Sequence, residues 1–181
     1  SLDWLADVPP ITNMSSDIIG WYIPGSSWGF RFQSLDFDWS NTQIEPLDVV
    51  FSERLGSQWE DFDVSINHLN LDLLSDLLEK TDVLTDSVLT TVDKLRPRGE
   101  LSVLTFGHNK AGYFASANLE NINVSPYKGA PGIKGVNGYL EIEGTTALFH
   151  IEDNDGFQLF FPKVYKDYLP VEKAAGTVHA Q

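Results

Sequence analysis

The sequence predicts an α+β chain that is mostly β, built on an elongated, twisted antiparallel sheet that is open and groove-like. In the first and last parts of the 181 residues, apolar and polar side chains alternate with the period of half-buried strands. In the middle, the spacing of Leu and Val becomes helical and predicts a short Leu-rich helical pair. This segregation of strands from helices favours α+β over a doubly wound α/β fold.

The first part of the chain is predicted to consist of strands. Apolar periodicity places them over residues 18–23, 28–32, 35–39, 47–51 and 62–66. The first of these strands ends at the turn signal Pro24-Gly25. The apolar phase slips by one residue between the second and third, which would exchange the two faces of a strand, so we expect a bulge near Gln33-Ser34.

The middle of the chain is predicted to form two short helices, over residues 71–78 and 83–95, with a break near Thr81. The residues suited to capping or ending these helices are Asn70, Asp72, Asp82, Pro97 and Gly99.

The last part returns to strands. Turn signals predict strand pairs that join residues 101–106 to 113–115 through 107–110, and residues 139–143 to 146–151 through Gly144-Thr145. The dipeptide Asp155-Gly156 is expected to form a hairpin between residues 149–151 and 157–160. The stretch 125–137, rich in Gly and Pro, is expected to be a connecting loop.

The expected organisation is a single fragment of a larger chain, because both ends look like cuts within one. It divides into an N-terminal β part (1–68), a helical segment (69–98) and a C-terminal β meander (99–181). No stretch is long and apolar enough to cross a bilayer, so no transmembrane segment is expected in this fragment.

The composition argues against several classes of function. A net charge of -14, from 26 acidic and 12 basic residues, repels phosphate backbones, so nucleic acid is not an expected partner. The chain has no Cys, and its four His lack metal-ligand spacing, so no metal site is predicted. Nothing in the sequence supplies a nucleophile, a base and oxyanion donors together. We therefore expect no catalytic residues, no cofactor and no enzymatic activity.

One motif resembles that of a serine hydrolase. Gly25, Ser27 and Gly29 match the nucleophile-elbow pattern, but that pattern works at a strand-to-helix turn, whereas the residues that follow Gly29 alternate like a strand. We expect a hairpin turn here, and an esterase built on Ser27 is only a remote alternative.

Several blocks in the last half of the chain resemble signatures of the AsmA-like YhdP family. Residues 95–101 (Leu-Arg-Pro-Arg-Gly-Glu-Leu) are similar to its L-x-P-R-G-x-L signature after a Leu-rich stretch. Residues 117–124, 131–140 and 161–169 resemble further family blocks, and residues 175–178 resemble the start of the following unit. The family-motif positions with an expected structural role are Pro97, Arg98, Gly99, Pro131, Gly132, Gly135 and Gly138.

The resemblance implies a setting and a role. Family members are anchored in the inner membrane of Gram-negative bacteria, extend through the periplasm as long bent sheets, and are implicated in phospholipid transfer and in maintaining the outer-membrane barrier. The expected partners are therefore phospholipid acyl chains and the rest of the parent chain. The resemblance brings no catalytic residue, metal or cofactor.

An acyl chain would need apolar side chains along one sheet face. The candidate lipid-contacting residues are Trp28, Phe30, Phe32, Phe62, Val64, Ile66, Leu101, Val103, Phe149, Ile151, Phe157 and Leu159. Two alternatives stay open. One is a purely structural β segment without a ligand. The other is a carbohydrate-binding β module that uses Trp platforms, with Trp4, Trp21, Trp39 and Trp59 as candidates.

Overall fold

The computed structural model describes residues 11–39, 42–56, 61–73, 86–153 and 155–180. Within them the chain forms one open antiparallel sheet, which confirms the predicted fold class. The strands are β1 (Ile11–Ile23), β2 (Ser27–Trp39), β3 (Thr42–Arg54), β4 (Phe62–Asn70), β5 (Arg98–Asn109), β6 (Gly112–Val124), β7 (Gly132–Glu143), β8 (Thr146–Asp153), β9 (Phe157–Phe160), β10 (Leu169–Val171) and β11 (Ala174–Ala180).

The strands follow one another as a meander from β1 to β8. One end of the sheet, the hairpin end, carries the turns at 24–26, 110–111 and 144–145. The opposite end, the helix end, is where β4 stops at Asn70 and β5 starts at Arg98. The strands continue beyond most of the predicted runs because polar residues near the turns also join the ladder.

The predicted hairpin at Asp155-Gly156 is wrong. Strand β8 pairs with the second half of β7, and β9 pairs with its first half, so β8 and β9 lie end to end along the same neighbour. Strands β10 and β11 lie end to end beside them in the same way. The Asp153 carboxylate accepts hydrogen bonds from the backbone N–H groups of Asp155 and Gly156, at 3.0 and 2.8 Å. The dipeptide therefore forms a side-chain-stabilised turn within an interrupted strand.

Two other turn predictions also need correction. The turn expected at 107–110 falls later, because β5 runs to Asn109 and pairs with Gly112. The loop expected over 125–137 is shorter, because β7 begins at Gly132. Gly138 lies within β7, where an added Cβ would collide with the carbonyl oxygen of His150 on β8, so the position accepts only glycine. The turn at Gly144-Thr145 is confirmed.

Register shifts recur in neighbouring strands. The bulge expected near Gln33-Ser34 is confirmed, because pairing between β2 and β3 shifts after Phe32 and Ser34 has φ 49°. Similar register shifts occur at Asn13 in β1, Val103 in β5 and Asn121 in β6, and each of these residues has a positive φ. Bulges bend a strand and increase its local twist. The sheet is therefore interrupted by bulges along much of its width.

The helical segment begins directly after β4, where residues 71–73 are helical. Asn70 caps this turn, because its Oδ1 accepts hydrogen bonds from the N–H groups of Asp72 (2.9 Å) and Leu73 (3.4 Å). Helix α1 (Asp86–Leu95) ends before Pro97, as predicted, with Arg96 in the left-handed region at φ 45°. The break expected near Thr81 and the cap expected at Asp82 lie outside the described residues.

Candidate functional site: an apolar sheet face

Apolar side chains converge on one face of the sheet. Residues directly opposite each other on paired strands point to the same face. Across β2, β3, β4 and β5, this places Phe30, Phe51, Val64 and Phe106 in one row. The row continues through Ala115, Ile142 and Ala147. We call this side of the sheet, defined by that row, the apolar face.

A second row runs parallel to the first, one step nearer the helix end. Phe32, Val49, Ile66 and Leu104 lie opposite one another in β2 to β5. Beyond the bulge in β5, the row continues through Ala117, Leu140, Phe149 and Val178. The apolar face therefore extends from β1, where Ile18 lies opposite Phe32, to β11.

The sequence-predicted candidates mostly share this face. The registers place all of them there except Val103, which is 66% exposed in its bulge while Leu104 packs against the core. Phe157 is buried in the core cluster, and Leu101, Phe149, Ile151 and Leu159 pack against it. Among the larger members of the face that the sequence analysis left out are Val49, Phe51, Leu104, Phe106, Leu140 and Ile142. The alternation of Val49 and Phe51 along β3 was a signal that could have found two of them.

The helix end of the apolar face is covered. Leu71 packs into a cluster with Ala117, Leu119, Ile122, Val136 and Phe157. Leu73 packs against a second cluster, formed by Trp39, Ile44 and Leu47. Among the described residues of these clusters, Leu71 and Leu73 are the members from outside the strands. The helical turn therefore closes the sheet where these two clusters lie.

The hairpin end of the same face is more open. Phe30 is 43% exposed and Phe106 is 39% exposed. Around them, ring centroids lie 5.6 Å apart for Trp28 and Phe30, 5.4 Å for Trp28 and Phe51, and 6.4 Å for Phe51 and Phe62. These contacts form a continuous aromatic surface, and aromatic pairs of this spacing stabilise one another by about 0.5 to 1.5 kcal/mol beyond area burial.

The opposite face of the sheet is polar and acidic. It presents Asp63, Glu100, Glu120, Glu141 and Glu143, which alternate with the apolar row residues along their strands. Ser52 donates a 2.7 Å hydrogen bond to Asp63 across β3 and β4. Five of the 26 acidic residues therefore lie on the side that does not carry the aromatic surface.

The family-motif residues organise the backbone at the helix end. Pro97 follows α1, Arg98 starts β5, and Gly99 at φ 116° lies so close to β6 that an added Cβ would be 2.6 Å from the Asn121 carbonyl oxygen. Pro131 and Gly132 lead into β7, and Gly135 adopts φ 79° at its register shift. Gly99 and Gly135 therefore lie at register shifts and adopt a backbone conformation that favours glycine.

Polar side chains that the sequence analysis missed satisfy the backbone at those bulges. Asn137 Oδ1 accepts from the N–H of Asn121 at 2.8 Å, and Asn123 Oδ1 accepts from the N–H of Gly135 at 3.1 Å. Asp153 accepts from the backbone N–H and the side-chain amide of Asn137, at 2.9 and 3.1 Å. Burial alone would raise the pKa of Asp153, but the hydrogen bonds from Asn137, Gly156 and Asp155 outweigh it and hold the pKa below its ordinary value.

Ser27 does not occupy a nucleophile elbow. It starts β2 after the turn from β1, so a strand follows it rather than a helix. Ser27 borders a polar depression of about 660 Å³ at the hairpin end, which Asp61, Asp63 and His108 also line. No cluster of three metal-ligating side chains is found among the described residues.

The Trp residues proposed as carbohydrate platforms differ in their surroundings. Trp39 is only 6% exposed, because it packs with Ile44 and Leu47. Trp21 lies against Gly29 of the neighbouring strand. Trp4 and Trp59 fall outside the described residues.

These features define a class of protein: an open antiparallel sheet with one apolar face, covered at one end, and one acidic face. The chain belongs to the YhdP family, whose family model, described as YhdP protein, matches residues 2–181. No match to a curated protein or to a solved structure was found. Within the described part of the chain, no helix has the length and apolarity needed to span a membrane.

Proposed function

We propose that this chain is a non-enzymatic segment of an envelope protein and that phospholipid acyl chains lie on its apolar face. The segment would act in the periplasm as part of a protein anchored in the inner membrane, and would contribute to phospholipid transfer between the two membranes. The observation that carries the proposal is the continuous apolar face, with Phe30 and Phe106 exposed at its hairpin end. Membership of the YhdP family supports the same setting.

The dimensions of the face suit an acyl chain. Nine strands lie side by side from β1 to β8 and β11, and eight spacings of about 4.8 Å give a width of roughly 38 Å. One leaflet of a bilayer holds its chains within roughly 15 Å, half of a core about 30 Å thick. Each buried CH₂ group contributes about 0.8 kcal/mol, so contact along even part of the row would hold a lipid.

Lipid extraction tests the proposal. The complete 181-residue chain would be purified from bacteria, extracted, and analysed by lipid mass spectrometry. We expect phospholipid near stoichiometry, and its loss in Phe30→Asp and in Phe106→Asp, because each variant places a charge on the apolar face. Far-ultraviolet circular dichroism would establish that each variant is folded.

The neighbouring strand offers a matched control. Ile19 is 51% exposed and lies opposite Arg31, on the acidic side of the sheet. Ile19→Asp introduces the same charge at a similarly exposed apolar residue, and we expect it to retain lipid. Equal loss of lipid from the Ile19 and Phe30 variants would contradict binding on the apolar face.

A purely structural role is the second candidate function. It is favoured by the packing of Leu71 and Leu73, which close the helix end of the same face. A folded, lipid-free wild-type protein would support this role and would place transfer in other parts of the parent chain.

A further inference from the structure

The sheet has an opening between β3 and β4 near the helix end. These strands pair from Glu53–Phe62 to Val49–Ile66, and the first half of β3 has no ladder to β4. The N–H of Asp48 instead donates to the side chain of Asn67 at 2.8 Å. Pro46 has no N–H to offer a neighbouring strand. The result is a cavity of about 440 Å³ between the two strands.

One side of this opening is continuous with the apolar face. The apolar residues that line it are Leu47, Leu69 and Leu73. Leu47 belongs to the cluster around Trp39, and Leu73 packs against that cluster. Val49, in the second row of the apolar face, packs against the same cluster, so the opening borders the apolar face.

The other side of the opening is acidic. Glu45, Asp72 and Glu100 line it, and among the described lining residues none is Lys or Arg. Arg98 approaches Asp72 from outside, with Nε 3.3 Å from Oδ1, and both side chains are largely exposed. The carboxylates therefore favour a ligand that carries a cationic group over one whose only charge is negative.

Two buried polar atoms border the opening without a hydrogen-bond partner among the described residues. They are Nε1 of Trp39 and Nε2 of His68, the latter 3.8 Å from Oε2 of Glu45. A buried hydrogen-bond donor that lacks an acceptor lowers the stability of the protein when no ligand is bound. Both atoms are covered, so a ligand reaches them only when the strands part, and here β3 and β4 are joined by the Asp48–Asn67 hydrogen bond rather than by a backbone ladder.

We propose that the opening binds the headgroup of a zwitterionic, amine-bearing phospholipid whose acyl chains lie on the apolar face. The ammonium group lies among the carboxylates of Glu45, Asp72 and Glu100, and a phosphate oxygen accepts a hydrogen bond from Trp39 Nε1. The inference rests on the proposed function, since it requires acyl chains on that face. It adds selectivity for an ethanolamine headgroup over a glycerol headgroup of net negative charge.

A lipid competition experiment tests this selectivity. The whole chain would be incubated with vesicles that contain equal amounts of dioleoyl phosphatidylethanolamine and dioleoyl phosphatidylglycerol. It would then be separated from the vesicles, and its bound lipids would be quantified by mass spectrometry. We expect enrichment of the ethanolamine lipid by roughly fivefold, the scale that exposed ion pairs supply. In the double variant Glu45→Gln with Glu100→Gln, the bound ratio should approach that of the vesicles, because the ethanolamine lipid loses two of the carboxylates that hold its ammonium group.

The acidic face supplies a matched control. Glu141 and Glu143 are exposed, lie in β7 away from the opening, and allow the same two-charge change as Glu141→Gln with Glu143→Gln. This variant should keep the ethanolamine preference. Loss of the preference in both double variants would mean that it depends only on the net charge of the protein, which would overturn the inference. Equal binding of both lipids by the wild type would also overturn it and leave the proposed function standing. Binding of neither lipid would overturn both.

Discussion

The indole ring of Trp21 lies against Gly29 on the adjacent strand, so close that a Cβ added to the glycine would collide with it and with the Phe51 carbonyl oxygen. The pair lies on the acidic side of the sheet. Phe114 covers Gly107 in a similar way, with 2.8 Å between its ring and the position of an added Cβ. Two glycines thus let aromatic rings lie close to the backbone on the acidic side of the sheet.

This contact predicts that Gly29→Ala destabilises the protein. Because the Cβ meets backbone as well as a ring, the strand must shift, and we expect the free energy of unfolding to fall by roughly 1 to 3 kcal/mol. Urea denaturation followed by circular dichroism would measure it. Gly176→Ala in β11 is the matched control, because nothing lies within 4 Å of an added Cβ there, and equal losses at both positions would contradict the role of the Trp21 contact.

Asp153 should stabilise the fold in a pH-dependent manner. It is 2% exposed and accepts hydrogen bonds from Asn137, Asp155 and Gly156. Its folded-state pKa is lowered, so its contribution is complete above the ordinary carboxyl value near pH 4 and is lost as the pH falls through the folded pKa.

We therefore expect Asp153→Asn to lower the free energy of unfolding at pH 7 by about 1.5 to 3 kcal/mol, the range for hydrogen bonds to charged groups. The difference from wild type should shrink below about pH 4, as urea titrations at several pH values would show. Asp155→Asn, at an exposed residue, is the control. A difference that did not change with pH would mean that the carboxylate charge contributes nothing.

The bulge at Val103 predicts an unusual response to glycine. Val103 has φ 51°, a region that is costly for a β-branched residue by roughly 1 to 3 kcal/mol. Replacement by Gly removes that strain, so Val103→Gly should leave stability unchanged or raise it by up to about 1 kcal/mol. The control Val64→Gly, on the apolar face of β4, should lose more than about 2 kcal/mol. Similar losses in thermal or urea unfolding would show that β5 has no bulge.

The helical turn after β4 depends on its cap. Asn70→Ala removes the acceptor for the N–H groups of Asp72 and Leu73, and should cost about 1 kcal/mol in urea unfolding. Asn70→Asp preserves an acceptor and should remain near the wild type. If the Ala variant is as stable as the Asp variant, the cap does not hold the helical turn over the sheet.

Alternation predicted most of the apolar face because each strand buries a single side. Trp28, Phe30 and Phe32 repeat every second residue, and their registers place them on one face. The same reasoning assigned Val103 to the side of Leu101 and missed Leu104, because the intervening bulge inserts one residue. The bulge at Ser34 was visible as a change of phase between aromatic runs. At Val103, apolar residues on both sides of the insertion concealed the change.

The contacts that interrupt the last strands were beyond sequence reasoning. Asp155-Gly156 has the composition of a hairpin turn, and local chemistry alone favours that reading. What decides the path is the long β7, which offers partners for both β8 and β9. The opening between β3 and β4 was equally hidden, since it depends on where their ladder stops rather than on a motif.

The positions of the bulges determine which side chains of each strand lie on the apolar face, and this limits where related chains can gain or lose residues. In a sheet with one apolar face, deleting a single residue from a strand moves every following side chain to the opposite face, whereas deleting two residues restores the pattern. A bulge accommodates one extra residue, so that the side chains beyond it return to their original faces, as at Ser34, Val103 and Asn121. Length changes among related chains should therefore come in pairs within strands, and single insertions should accumulate at the bulges.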